Sequence, residues 1–361
     1  VVAGVAALVL ACGACAPRER APPSASGVEA PSSVAARDSG APPAADGSAA
    51  RFEYRRVVMG APCTIALWAR DEAHADRAAR AAFARLAEIE EALSDWMPAS
   101  ETRRLPQTAG ATVRIGPDLH AVLLRAGAYW EATGGAFDPT VAPVVAVWRE
   151  ARRAGRMPDM AAIEEARTRV GFERIRIGRA PPTYTALADG VRLDFGGIGQ
   201  GFGAAAALAV LRREGVEAAL VDLSGDVAAG DPPPGREGWV VEALGERLLL
   251  ANAALVVSGD SFQHVDAPGT SEQIARYSHI VDPRTGMGVA TRTQVAVIAP
   301  DPVDADALAT ALTVLGPERG QRVLARFPGV VAEWTVERAD AAPRRVRSPG
   351  WPGVARAVRN P

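Results

Sequence analysis

Two short segments carry side chains whose types and spacing suit phosphate and metal chemistry. The run Ser278-His279-Ile280-Val281-Asp282-Pro283-Arg284-Thr285-Gly286 gathers a histidine, a carboxylate and an arginine around a Pro/Gly turn. The run Asp306-Ala307-Leu308-Ala309-Thr310 sets a carboxylate and a hydroxyl four residues apart. On a helix that spacing stacks both oxygens on one face, where they can share a hard cation. Together the two segments imply a site that handles a phosphorylated ligand through a metal ion. Each residue also has a plain structural reading. A single His is more often structural than catalytic, Asp306 can serve a helix dipole, and Thr310 can bond to the preceding helical turn.

A third segment, Asp194-Phe195-Gly196-Gly197-Ile198-Gly199-Gln200-Gly201, reads as a strand-to-helix turn with four glycines. Such a turn lets backbone groups approach a ligand, and a helix N-terminus favours phosphate. Gly199, Gly201 and Ala204 also fit a dinucleotide fingerprint, with Asp222 about 20 residues on as the ribose-binding acid. Against that stands the absence of following βαβ units; a purely structural tight turn is the other alternative. Asp138-Pro139 has the form of an N-cap followed by Pro at the first helical position. Trp96 is either a half-buried core aromatic or a stacking platform for a planar ring.

These residues need elements to position them. Arg56–Gly60 and Cys63–Trp68 read as strands around a Gly-Ala-Pro turn, and Asp71–Leu93 has helical periodicity. Leu119–Thr133 reads as a helix stopped by Gly134-Gly135, and Val191–Phe195 as a short strand before the glycine turn. The helix after that turn ends near Glu214-Gly215. Strands follow at Ala218–Leu223, Trp239–Ala243 and Thr293–Ile298. Asp301-Pro302 starts the helix carrying Asp306 and Thr310, and Gly316-Pro317 closes it. Strands and helices mix without regular βαβ alternation, which predicts an α+β fold rather than a doubly wound sheet.

The chain of 361 residues has ample core, and its net charge of -2 gives no electrostatic case for nucleic acid. Every basic residue is arginine, so no lysine chemistry is available. The apolar run Val1–Ala11 is too short to span a bilayer and ends at Cys12, in the manner of a lipoprotein signal. On that reading residues 1–15 are a signal and lipobox segment, and lipid on Cys12 anchors a periplasm-facing protein to a membrane. Residues 16–50, rich in Pro, Ala and Ser, read as a disordered tether. The folded domain is expected over 51–340, with an Arg/Pro-rich surface tail at 341–361. With Cys12, Cys15 and Cys63 the only cysteines, the core rather than disulfides holds the fold.

The motifs, in order, resemble those of one family, the FAD:protein FMN transferases or ApbE family. They are Met59-Gly60; Leu93-Ser94-Asp95-Trp96 with Ser100-Glu101; and Gly135 to Val141. Then come Asp194 to Gly201, Val221 to Asp226, Val257-Ser258-Gly259, Ser278 to Gly286 and Ala305 to Thr310. The resemblance implies an α+β domain that binds FAD and Mg²⁺ and transfers FMN to a threonine hydroxyl of an acceptor flavoprotein, such as a membrane redox-complex subunit, releasing AMP. By motif, Asp306, Thr310 and the Gly197 carbonyl would hold the metal. Met59, Trp96, Ala136, Phe137, Asp138, Asp194, Gln200, His279 and Ile280 would line the FAD site. His279 is the expected base, since imidazole titrates near neutrality, and Asp306 shares the catalytic role through the metal. The sequence departs from the family pattern at three positions. Gln200 stands where lysine is usual, Ala205 where aspartate is usual, and Ser224 where the first glycine of a Gly-Gly-Asp/Asn turn is usual. These departures keep two alternatives open, an FAD pyrophosphatase giving FMN and AMP, and a non-catalytic flavin-binding lipoprotein.

Overall fold

Eight strands pair into one sheet whose order in space repeats their order along the chain. They are β1 (Ala50–Val58), β2 (Ala61–Ala69), β3 (Ala219–Leu223), β4 (Asp226–Ala229), β5 (Ala253–Gly259), β6 (Thr293–Ala299), β7 (Val331–Arg338) and β8 (Ala341–Arg347). Every neighbouring pair is antiparallel. The computed structural model describes residues 35–36, 49–259, 264–267, 275–338, 341–352 and 355–357. The expected leader, Cys12, Cys15 and most of the tether lie outside the described residues. Within the tether, Ala35 and Ala36 pair with Glu242 and Val241.

Side-chain alternation along the strands builds two cores, one on each face. On β2, Ile65 and Leu67 join Leu86, Ile89, Leu211, Leu308 and Leu312 from the helices, while Ala66 between them faces the other way. The helices of this layer are α1 (Glu72–Leu93), α2 (Pro117–Thr133), α5 (Gly199–Arg213) and α6 (Pro302–Leu324). On the opposite face, Leu220, Leu255 and Ile298 pack under Trp239, Val241 and Leu248 of the hairpin formed by Trp239–Ala243 and Glu246–Leu250. A third cluster joins α3 (Ala142–Arg153) and α4 (Met160–Arg167) through Val144, Trp148, Ile163 and Ala166 to Val265 and Val281. The fold is thus α+β, as expected.

The helix limits follow from their caps. The Asp71 carboxylate accepts the His74 N–H at the start of α1, and Asp301 accepts the Val303 N–H at the start of α6. Gly316, at φ 68, breaks α6 where the Gly-Pro pair predicts an end, and a further helical stretch resumes behind it.

Several expectations are corrected. The first hairpin turns at Met59-Gly60, both with positive φ (55 and 68), while Ala61 and Pro62 already belong to β2. Val191–Phe195 is no strand; it makes a single parallel bridge, Arg192 to Val141, and the Asp194 N–H donates to the Pro139 carbonyl. Asp138 caps no helix, since α3 starts at Ala142 with Pro143 in its first turn. Residues 341–347, assigned to a surface tail, form the edge strand β8, whose side chains are mostly exposed and whose backbone pairs with β7. The dinucleotide alternative fails: the strand after the glycine turn, β3, runs antiparallel to β2. Asp222 accepts the Gly225 N–H inside its own hairpin at 2.8 Å. Among the described residues no helix is long and apolar enough to cross a membrane.

Candidate active site

A cleft of about 320 Å³ opens between the α3/α4 cluster and the sheet with its helices. A smaller cavity of about 180 Å³ adjoins it, and Gly196 and Gln200 line both. The glycine bend therefore separates the two spaces. Behind it lies α6. A Cβ placed on Gly197 would lie 2.7 Å from the Thr310 hydroxyl. A Cβ on Gly201 would come within 2.7 Å of the Asp306 side chain and overlap the Pro302 carbonyl. Only glycine permits this approach of bend to helix.

Asp306 is buried, and its Oδ2 accepts the Gly201 N–H at 2.8 Å, so the carboxylate sits at the N-terminus of α5. Burial outweighs this help from the helix and pushes its pKa up to about 7. Asp226 lies near enough to add to the strain: burial, then repulsion by Asp306 and Asp222, raises its pKa well above the usual carboxylate range. Two crowded carboxylates, one buried and one half-buried, suit a divalent cation. The Thr310 hydroxyl supports the same reading. One turn on, Thr313 bonds to the Ala309 carbonyl at 2.8 Å, whereas the Thr310 hydroxyl makes no hydrogen bond with any described residue and lines the cleft. Among the described residues no three His, Cys, Asp or Glu side chains converge. Asp306 and the Thr310 hydroxyl, both lining the cleft beside the bend, are oxygen donors of the kind that suits a hard cation such as Mg²⁺.

The remaining walls come from distant parts of the chain. Ala136, Phe137 and Asp138 form one side. Phe137 is held in the core, edge-on to Tyr129 at 5.9 Å between centroids. The Asp138 carboxylate accepts the Thr140 N–H (2.8 Å), the Thr140 hydroxyl (2.6 Å) and the Phe172 N–H (3.0 Å), and burial pushes its pKa up to about 6. Its contribution is to hold this wall. Asp194 accepts the Gly196 N–H at 2.8 Å and pairs with Arg149, which also grips Asp95. Burial and the nearby Asp95 charge raise the Asp194 pKa. His279 and Ile280 line the cleft beyond the strand Ala275–Ser278, with His279 exposed. Asp282 and Arg284 form a bidentate pair, both contacts 2.8 Å, and Arg284 packs beneath Gly135.

A model of the ApbE family matches residues 59–334. The chain belongs to the ApbE family. It is 34% identical over 303 residues to the FAD:protein FMN transferase of Treponema pallidum (strain Nichols), covering 78% of this chain and 83% of that one. To an FAD:protein FMN transferase of Klebsiella pneumoniae (strain 342) it is 26% identical over 304 residues, covering 82% and 93%. The fold superposes on the flavin transferase ApbE from Vibrio cholerae with a TM-score of 0.72 at 24% identity, covering 84% of this chain and 99% of that one. For the ApbE protein from Thermotoga maritima the TM-score is 0.73 at 25% identity, covering 84% and 98%.

Within this ApbE fold, the main cleft collects Ala136, Phe137, Asp138, Asp194, Gly197, Gln200, His279, Ile280, Asp306 and Thr310. Met59 and Trp96 line the adjoining cavity. There Trp96 is 59% exposed, its ring lying against Gly60. Sequence reasoning missed Arg149, Arg152 and Trp148 of α3 and the site role of Asp226. The spacing Val141, Val145, Trp148, Arg149, Arg152 on one helical face was the available signal. Cys63 is not a nucleophile here: it is buried in β2, with its thiol pushed up to about 12 by burial and by Asp222.

Proposed function

We propose that the protein transfers the FMN moiety of FAD to a threonine hydroxyl of an acceptor flavoprotein in a Mg²⁺-dependent reaction that releases AMP. One observation carries the reading: the Asp194–Gly201 bend is seated on the Asp306/Thr310 turn at the floor of a single cleft. Family membership and the names of the relatives support FAD as the flavin donor.

Asp306, Thr310 and the Gly197 carbonyl would hold the metal. When bound, Mg²⁺ would neutralise charge on the transferred phosphoryl group and the departing AMP. Trp96 and Met59 offer an apolar platform beside the bend for a planar ring. Asp138 and the Arg149 bridge fix two walls so that the diphosphate meets the bend in one orientation. The acceptor oxygen attacks the FMN phosphorus, a new P–O bond forms, and the diphosphate P–O bond to AMP breaks. The acceptor's proton goes to His279, whose exposed ring lines the cleft.

Incubation with FAD, Mg²⁺ and an acceptor flavoprotein domain should give a covalent flavin band in a denaturing gel and one AMP per flavin attached. Absence of both under conditions where a known transferase works defeats the reading. Gln200, at the junction of the two cavities, favours a second reading, FAD hydrolysis to FMN and AMP. AMP release that ignores added acceptor would establish it.

We further propose that Cys12 carries lipid and holds the enzyme at a membrane on the periplasmic side. The support is the apolar run ending in Leu10-Ala11-Cys12. Fractionation of cells expressing the wild type and Cys12→Ser tests it. Equal membrane association of the two counts against the anchor.

A further inference from the structure

We propose that Arg152, on the cleft-facing stripe of α3, binds the diphosphate of the flavin substrate and supplies the positive charge that Gln200 does not. The proposal rests on the reading of the cleft as an FAD site.

Charge in the cleft is unevenly matched. Four carboxylates line it, Asp138, Asp194, Asp226 and Asp306, against two guanidiniums, Arg149 and Arg152. An incoming diphosphate adds negative charge beside these carboxylates. One of the two arginines is committed, since the Arg149 nitrogens hold Asp95 and Asp194. Arg152 is different. It makes no hydrogen bond or ion pair with any described residue, although it is half-buried in the cleft wall. Burial and the like charges of Arg149 and Arg153 lower its pKa.

A surface arginine turned to solvent is the ordinary explanation of such a residue. Its position argues otherwise. Val141, Val145, Trp148, Arg149 and Arg152 form one helical face, and all five line the cleft. A cation held there is partly desolvated and repelled by Arg149 and Arg153, so it is favoured by an arriving anion. The planar guanidinium fork also matches two phosphate oxygens at once. At neutral pH the diphosphate carries the formal charge of FAD, so it is the part of the ligand that this cation recognises. The chain has no lysine anywhere, so an arginine is the residue type left for the task.

The test compares the wild type with Arg152→Gln in full-length protein with Mg²⁺, titrating FAD and, separately, riboflavin, which lacks phosphate. FAD binding should weaken by about tenfold to a hundredfold, the range of a lost charge-assisted contact, with a flatter dependence on salt. Riboflavin binding and the melting temperature should not change. Equal FAD binding by the two proteins overturns the proposal. Equal losses for FAD and riboflavin, or an unchanged salt dependence, also overturn it, because they indicate a structural effect. Failure of the wild type to bind FAD would overturn the reading of the cleft itself, and the role of Arg152 with it.

Discussion

Gly197 and Thr310 are in direct contact: a methyl group at 197 would lie 2.7 Å from the threonine hydroxyl and 3.0 Å from its methyl. The contact joins a bend to a helix more than a hundred residues further along the chain. Gly197→Ala should therefore destabilise the protein by about 1–3 kcal/mol, the usual cost of overpacking. Thr310→Ala in the same chain removes most of the overlap and should restore much of the stability without restoring Mg²⁺-dependent turnover. Thermal melts and an FMN-transfer assay on the single and double variants check both parts.

Asp306 predicts how stability responds to pH. Its pKa is pushed up to about 7 by burial, from an ordinary value of 3.8. Between those values the folded chain holds a proton that the unfolded chain has released. Stability from this group is full below about pH 4 and is lost as pH rises to about 7 and beyond. Asp226 shifts in the same direction. In a chelator, Asp306→Asn should flatten this fall and melt higher than the wild type at pH 8. Added Mg²⁺ should raise the wild-type melting temperature more at pH 8 than at pH 5.5, and should scarcely move the variant. Turnover by Asp306→Asn should fall at least a hundredfold, following the loss of a metal ligand.

Trp96 is an exposed side chain with little folding role, 59% accessible beside Gly60. Trp96→Ala should change stability by less than about 0.5 kcal/mol. FAD affinity should drop about tenfold if the indole stacks on a ring of the ligand, and Trp96→Phe should recover part of it. Flavin fluorescence titration measures this, with chemical denaturation as the control.

Asp138 should show the opposite balance. Three donors, from Thr140 and Phe172, converge on its buried carboxylate. Asp138→Ala leaves all three without their acceptor and should cost about 2–4 kcal/mol in urea denaturation. Asp138→Asn keeps one acceptor oxygen and should cost less. FAD affinity measured well below the melting temperature of each variant should change less than it does for Trp96→Ala.

The elements that a local pattern specifies were legible in the sequence. Helix α1 reads from Phe83, Leu86, Ile89 and Leu93 on one face, and α6 from its Asp301 cap and its Gly316-Pro317 break. The α+β class followed from the lack of alternation. The order of the sheet was not legible, because β2 meets β3 only after a 149-residue excursion, Arg70 to Ala218. The short extended segment at 191–195 resembles a strand in composition but finds its partners in Pro139 and Val141. Motif order was enough to place Asp306, Thr310 and the glycine bend together. Arg149 and Arg152 were missed because charged residues on an amphipathic helix look like a solvated face until the neighbouring wall is known. Asp282 and Arg284 show the reverse case, where a suggestive cluster spends its charges on itself.

The succession of strands in the sheet has a temporal consequence. Each new strand is laid beside its predecessor, so the sheet can grow in the direction of synthesis, as a meander does. The two residues expected to grip a cation arrive on α6, after six of the eight strands. A nascent chain stopped before Asp306 therefore carries the bend, the tryptophan platform and most of the walls, yet lacks the two side chains that would hold the metal. Metal binding by Asp306 and Thr310 would then be among the last parts of the site to be completed.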